Sequence, residues 1–115
     1  MPYLRTRVNT PVNEEKTASL RRLFGEAISI LPGKTERWLM VDIEENASLS
    51  LAGDGSRPLA MLEVELFGKS TPEAYQALTA RLTEICEEVL GVAPDGVYVK
   101  YAEVEHWGFA GSNFS

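Results

Sequence analysis

Hydrophobic and polar positions alternate with a period of two from residue 3 onward. Leu4, Thr6 and Val8 fall on one face and Tyr3, Arg5 and Arg7 on the other, the signature of a half-buried strand. Thr10-Pro-Val-Asn13 then supplies a turn and an N-cap, with Glu14 and Glu15 where the helix macrodipole favours negative charge. From there the period becomes helical: Leu20, Leu23, Phe24, Ala27, Ile28 and Leu31 form one apolar stripe opposite Arg21, Arg22 and Glu26, and Pro32-Gly33 stops it. The run Arg37 to Glu44 reads as a second, largely buried strand, so residues 3 to 44 make a βαβ unit.

The pattern then repeats. Residues 45 to 57 are polar and small, with Gly53-Asp54-Gly55, and predict a loop with room for a short edge strand at Leu49 to Leu51. Pro58 to Phe67 alternates Leu62, Val64 and Leu66 against Glu63 and Glu65 as a third strand. Ser70-Thr-Pro-Glu73 reads as a capping box opening a second helix, whose stripe is Tyr75, Leu78, Leu82, Ile85 and Val89 and whose end is Gly91. Pro94-Asp95-Gly96 turns the chain into a fourth strand, Val97 to Val104. The starts at 59, 71 and 97 lie 56, 58 and 60 positions beyond those at 3, 13 and 37, a repeat of structure without a literal repeat of sequence. Right-handed crossovers place each helix on the same side of its strand pair, so the expected fold is α/β, a four-stranded mixed sheet from two βαβ repeats with both helices on one face. The other face, expected to be too apolar to stand bare, predicts an oligomer.

Composition narrows the function classes. A chain of 115 residues supports one domain, 1–115, with a real core. Eleven Lys and Arg against seventeen Asp and Glu give a net charge of −6, and no basic stripe interleaved with aromatics is present, so nucleic acid is disfavoured as a partner. The single cysteine, Cys86, has no partner for an internal disulfide, and no leader or bilayer-length apolar run is apparent, which together predict a soluble cytoplasmic protein.

Candidate chemistry is sparse. Pro2 stands at the start of the first strand, and removal of an initiator methionine is favoured before proline. The product is a secondary amine on a rigid ring, whose pKa burial and nearby cations both lower. Two readings stay open at this point: a catalytic base, or a proline tolerated as the first residue of a strand. Tyr98 and Lys100 lie two apart on the fourth strand, hence on one face and roughly 7 Å apart, either as a donor with an anion anchor or as a solvated edge. Lys34 follows Pro32-Gly33 in a helix-to-strand loop. The terminal segment combines Trp107, Phe109 and Phe114 with small residues, as a subunit contact, a pocket wall or both. His106 reads as a surface histidine and Cys86 as packing, and no metal-ligand, nucleotide or P-loop spacing occurs, so neither metal nor cofactor is expected.

Met1-Pro2 opening a strand, Gly33-Lys34, Ala52-Gly-Asp-Gly-Ser-Arg-Pro58, Gly68-Lys69, Asp95-Gly-Val-Tyr-Val-Lys-Tyr101 and Trp107-Gly-Phe-Ala-Gly-Ser-Asn-Phe114 run in order over nearly the whole chain. In these the sequence resembles the macrophage migration inhibitory factor and D-dopachrome tautomerase family of the tautomerase superfamily. The resemblance implies a homotrimer whose sheets form a barrel, with sites between subunits. It implies Pro2, freed of Met1, as the general base moving a proton between carbon and oxygen of a keto–enol pair, and Lys34 as the holder of the substrate's carboxylate or carbonyl. The backbone at Phe67 matches a substrate-contacting position, Trp38, Trp107, Phe109 and Phe114 match pocket or adjacent positions, and Tyr98 would enter from the neighbouring subunit.

Three departures stand out. Lys100 replaces the asparagine of the vertebrate cytokine and adds a second cation, Phe67 replaces a smaller aliphatic residue and narrows the pocket, and Leu59 and Leu62 occupy the cytokine's CxxC positions, so redox activity of that kind is not supported. The resemblance therefore implies a cofactor-independent tautomerase of phenylpyruvate-type α-keto acids, with a small enol or keto acid as its partner. The rival is a protein-binding effector with a receptor, exported without a signal peptide and retaining the pocket as an inherited feature.

Overall fold

In the computed structural model, which describes residues 1–114, strand β1 (Pro2–Val8) alternates as its side chains dictate: Pro2, Leu4, Thr6 and Val8 are buried while Tyr3, Arg5 and Arg7 are half-buried. Asn13 caps helix α1 (Glu14–Ala27), its side chain accepting from the Lys16 N–H at 2.8 Å. The helix ends earlier than Pro32-Gly33 because Ile28–Ile30 tighten into a 3₁₀ turn, with Leu31 N–H donating to the Ile28 carbonyl at 3.1 Å; Ile28 and Leu31 stay buried nonetheless.

Strand β2 covers Met40–Glu44 only, because Glu36–Trp38 form another 3₁₀ turn. Contrary to the expected buried strand, β2 lies at a sheet edge and pairs only with β1, so Met40 is 68% exposed and the remaining residues are half-buried. Residues 45–57 contain one isolated bridge, Leu51 to Asp54, in place of an edge strand. Strand β3 (Ala60–Phe67) alternates buried and half-buried along its whole length. Helix α2 (Pro72–Leu90) is capped by Thr71, whose hydroxyl accepts from Ala74 N–H at 3.1 Å, with Pro72 in the first turn. The cap is thus one residue beyond the expected Ser70, whose hydroxyl is buried without a partner while its N–H donates to Glu103. Strand β4 (Val97–Val104) completes the sheet in the order β2-β1-β3-β4, parallel at β1/β2 and β3/β4 and antiparallel at β1/β3.

One cluster forms the core: Leu4, Val8, Leu62, Val64 and Leu66 of the sheet against Leu20, Phe24, Leu78, Leu82 and Ile85 of the two helices. The helices therefore cover a single face. The open face does not carry the apolar surface that the sequence pattern suggested. Its centre is an ionic lattice in which Arg5 meets Glu44 (3.4 Å) and Glu63 (3.6 Å), Arg7 meets Glu44 (3.0 Å) and Lys100 meets Glu63 (3.0 Å), with Tyr3 donating to Asp42. Large exposed apolar groups on this face sit toward the two sheet edges, Met40 on β2 and Tyr98 on β4. Among the described residues no helix is long and apolar enough to cross a membrane.

Candidate active site

The amino terminus, the loop after α1 and the end of β3 meet at one end of the sheet. Leu31, Pro32, Gly33 and Lys34 form a turn closed by Lys34 N–H donating to the Leu31 carbonyl at 3.0 Å. Proline presets its second position, and glycine takes the positive φ of +79° that its third position requires. The turn aims Lys34 at β3, where Nζ donates to the Phe67 carbonyl at 2.7 Å. The Phe67 N–H in turn donates to the Met1 carbonyl at 3.0 Å, which fixes the amino-terminal residue against the same strand end.

This placement changes the chemistry of the terminal amine. Its pKa is held below the ordinary value of 8.0, first by burial and then by the positive charge of Lys34 beside it. A nitrogen at this end of the sheet is therefore easier to hold neutral, with its lone pair free to take a proton, than one on an open tail.

Aromatic rings close the site. The terminal segment folds back as a hairpin of β5 (Trp107–Phe109) and β6 (Ser112–Phe114), with Trp107 opposite Phe114. Its two turn residues, Ala110 and Gly111, both have positive φ (52° and 85°), the conformation whose twist matches the flanking strands in a two-residue hairpin. The hairpin delivers Phe109 edge-on to Trp38 (5.2 Å, 85°) and stacked on Phe114 (6.5 Å, 6°), and Phe114 packs against Phe67 (5.5 Å). An open cleft of about 800 Å³ runs along Met1, Pro2, Trp38, Trp107 and Phe109.

Seven of the nine candidate residues thus gather at one end of the sheet: Pro2, Lys34, Trp38, Phe67, Trp107, Phe109 and Phe114. Tyr98 and Lys100 share the open face but not this cleft. Tyr98 stands level with Met61, whereas Pro2 stands level with Leu66, five strand residues away or about 16 Å. Within the protomer Lys100 is held by Glu63. Cys86 is buried in the core with its thiol pushed up to about 12 by desolvation, which makes it packing rather than a nucleophile, and His106 is exposed. Among the described residues no cluster of His, Cys, Asp or Glu is arranged to hold a metal.

Sequence reasoning passed over several residues of the cleft. Tyr3, Met40 and Glu65 line it, as does Arg37, whose guanidinium lies 5.1 Å from the centre of the Trp38 ring. The available signal was a basic residue beside a tryptophan directly after the Lys34 turn, hidden by assigning both to a strand.

Comparison with known proteins agrees with this architecture. Structures similar over nearly the whole length include MIF2 of Leishmania major (28% identity, 99% of this chain and 97% of that one, TM-score 0.92) and a macrophage migration inhibitory factor homologue from Prochlorococcus marinus (22%, 98% and 99%, 0.88). A third, solved after inactivation by 2-oxo-3-pentynoate, matches at 23% identity over 95% and 93% of the two chains with a TM-score of 0.83. No curated protein sequence matches the chain. The family profile described as "Macrophage migration inhibitory factor (MIF)" matches residues 1–115, and with the sheet order, paired crossovers and terminal hairpin in place, the chain belongs to the macrophage migration inhibitory factor family.

Proposed function

We propose that this chain is a cofactor-independent keto–enol tautomerase, an intramolecular oxidoreductase acting on α-keto acids of the phenylpyruvate type. One observation carries the reading: the amino terminus lies in an aromatic-walled cleft beside Lys34, where burial and that cation lower the pKa of a terminal amine. Removal of Met1 turns the Pro2 nitrogen from an amide without basicity into a secondary amine subject to the same two influences.

The chemistry follows from these parts. The prolyl lone pair takes a proton from the carbon next to the ketone; the C–H electron pair becomes the C=C bond, and the carbonyl π pair moves onto oxygen. Lys34, oriented by its bond to the Phe67 carbonyl, holds the acid or the developing enolate and offsets its charge. The enolate oxygen takes a proton from water and the prolinium returns its own to water, so the cycle balances with neither metal nor cofactor. Trp38, Phe109 and Phe114 supply ring faces for an aryl side chain. The structural relative inactivated by a 2-oxo acid supports this substrate class.

Assembly belongs to the same proposal. A homotrimer would carry Tyr98 and Lys100 of one subunit to the cleft of the next, the route open to residues about 16 Å and about 10 Å up the sheet from Pro2.

The test combines intact mass, light scattering and absorbance-monitored ketonisation of enol-phenylpyruvate. Expected are a chain lacking Met1, a trimer, and turnover abolished by one residue added before Pro2. Unchanged turnover in the extended protein removes Pro2 from the chemistry, and a processed trimer inert toward every enol favours the receptor-binding effector.

A further inference from the structure

Arg37 has no role in the mechanism just described, yet it lines the cleft. It leads from the Lys34 turn into β2, and its guanidinium rests on the Trp38 ring at 5.1 Å, a contact that restrains the side chain without using its N–H donors. Among the described residues no carboxylate lies within ion-pairing distance of it or of Arg21 on α1, whereas Arg5, Arg7, Arg22, Arg57 and Arg81 each have an acidic partner. An exposed arginine held by its flat face, with its donor fork free beside a cleft, is equipped to bind an oxyanion in the bidentate manner that lysine cannot match.

The rings fix which anion that is. Lys34 is bonded at the Phe67 end of the aromatic cluster, and Arg37 sits at the Trp38 end. Between the two ends the contacts run from Phe67 to Phe114 (5.5 Å), to Phe109 (6.5 Å) and to Trp38 (5.2 Å). The two cations thus flank one aromatic cluster, Lys34 beside the amino terminus and Arg37 on the cleft wall. Glu65, the carboxylate on the strand side of the cleft, repels an anion there and leaves the Arg37 end as its favourable place.

Resting on the reading of this cleft as a 2-oxo acid site, we infer that Arg37 is a specificity-determining residue that selects substrates carrying a second anionic group, a carboxylate on or beyond the aryl ring, remote from the keto acid.

The experiment compares the enols of phenylpyruvate and 4-carboxyphenylpyruvate in the processed protein, its Arg37→Gln variant and its Arg37→Lys variant. The wild-type protein is expected to prefer the diacid. Arg37→Gln lowers the diacid-to-monoacid ratio of kcat/KM by about tenfold, the size of one lost charge-assisted hydrogen bond, acting through KM. Arg37→Lys restores part of that ratio. An unchanged ratio in Arg37→Gln, with either substrate turned over, overturns the inference and leaves the tautomerase reading standing. If neither enol is turned over, calorimetric binding of 4-carboxyphenylacetate decides: affinity weakened about tenfold by Arg37→Gln upholds the anion site while the tautomerase reading falls, and equal affinity, or none in either protein, overturns the site as well.

Discussion

The two faces of the sheet are built from alternate residues of the same four strands and obey opposite rules. Toward the helices, Leu4, Val8, Leu62, Val64 and Leu66 are fully buried with Thr6 among them, and polar side chains otherwise gather at the β4 edge, where Tyr101 and Glu103 bond to α2. On the open side, Arg5, Arg7, Glu44, Glu63 and Lys100 form a continuous set of contacts between 3.0 and 3.6 Å, with Tyr3 bound to Asp42 beside them. The difference shows that a strand's parity, rather than its apolar content, decides what each face can do. One face holds the fold together by excluding water, and the other presents a register of charge that tolerates water. The candidate site belongs to neither face; it forms at the sheet's end, where both run out and rings from the loop and the hairpin take over.

The largest expected effect comes from breaking the covered face. Leu62 is fully buried, level with Thr6 on one side and Val99 on the other, so Leu62→Ala deletes core volume that the helices cannot refill. A loss of about 2–5 kcal/mol is expected, read as a lowered urea midpoint. Its neighbour in the same strand, Glu63, belongs to the open face and is partly exposed; Glu63→Gln should cost under about 1 kcal/mol, less in high salt. Equal losses in the two variants would erase the distinction between the faces.

Most of this architecture was legible in the sequence because periodicity reports burial directly. The apolar stripes of α1 and α2, the alternation in β1 and β3 and the Asn13 cap depend on neighbours close along the chain. What misled was the strand centred on Val41, where an apolar run cannot tell a central strand from an edge that borders a site: Trp38 and Leu39 belong to the turn and the cleft wall, so Arg37 was assigned to a strand as well. The apolarity of the open face was overestimated for a related reason, since the charged residues that fill it come from four strands and their convergence is a property of register. The hairpin of Trp107 to Phe114 was read only as rings needing cover, because its two three-residue strands are too short for periodicity to register.

An intermediate effect should come from the fully buried polar residue of the covered face. Thr6 is fully buried, and its hydroxyl has no hydrogen-bond partner. A desolvated, unpaired hydroxyl is a net cost, and valine keeps the branched shape while removing it. Thr6→Val is therefore expected to raise stability by about 1 kcal/mol, with the urea slope unchanged. A loss of stability would mean that the hydroxyl is satisfied after all and that the covered face is less uniform than its burial indicates.

The smallest effect, and the one that sharpens the comparison furthest, is the response of the open face to acid. Glu44 accepts from Arg7 at 3.0 Å and from Arg5 at 3.4 Å, and these partners, the Arg7 hydrogen bond foremost, hold its carboxyl below the ordinary 4.5. A carboxyl whose folded pKa is depressed contributes stability that is fully present above the unfolded value and is lost as pH falls through the folded one. On the covered face the fully buried polar group, Thr6, does not titrate, and the one carboxyl, Glu103 at the end of β4, is held low by Tyr75 and the Ser70 N–H and is untouched by a change at Glu44. The stability difference between the wild-type protein and Glu44→Gln should accordingly stay constant above about pH 5 and shrink as the pH is lowered past about 4, and added salt should reduce it throughout. Urea midpoints across this range at low and high ionic strength make the measurement. A difference that does not change with pH would mean that Glu44 acts through its shape and packing, and the open face would then be stabilised by contact, as the covered one is, rather than by charge.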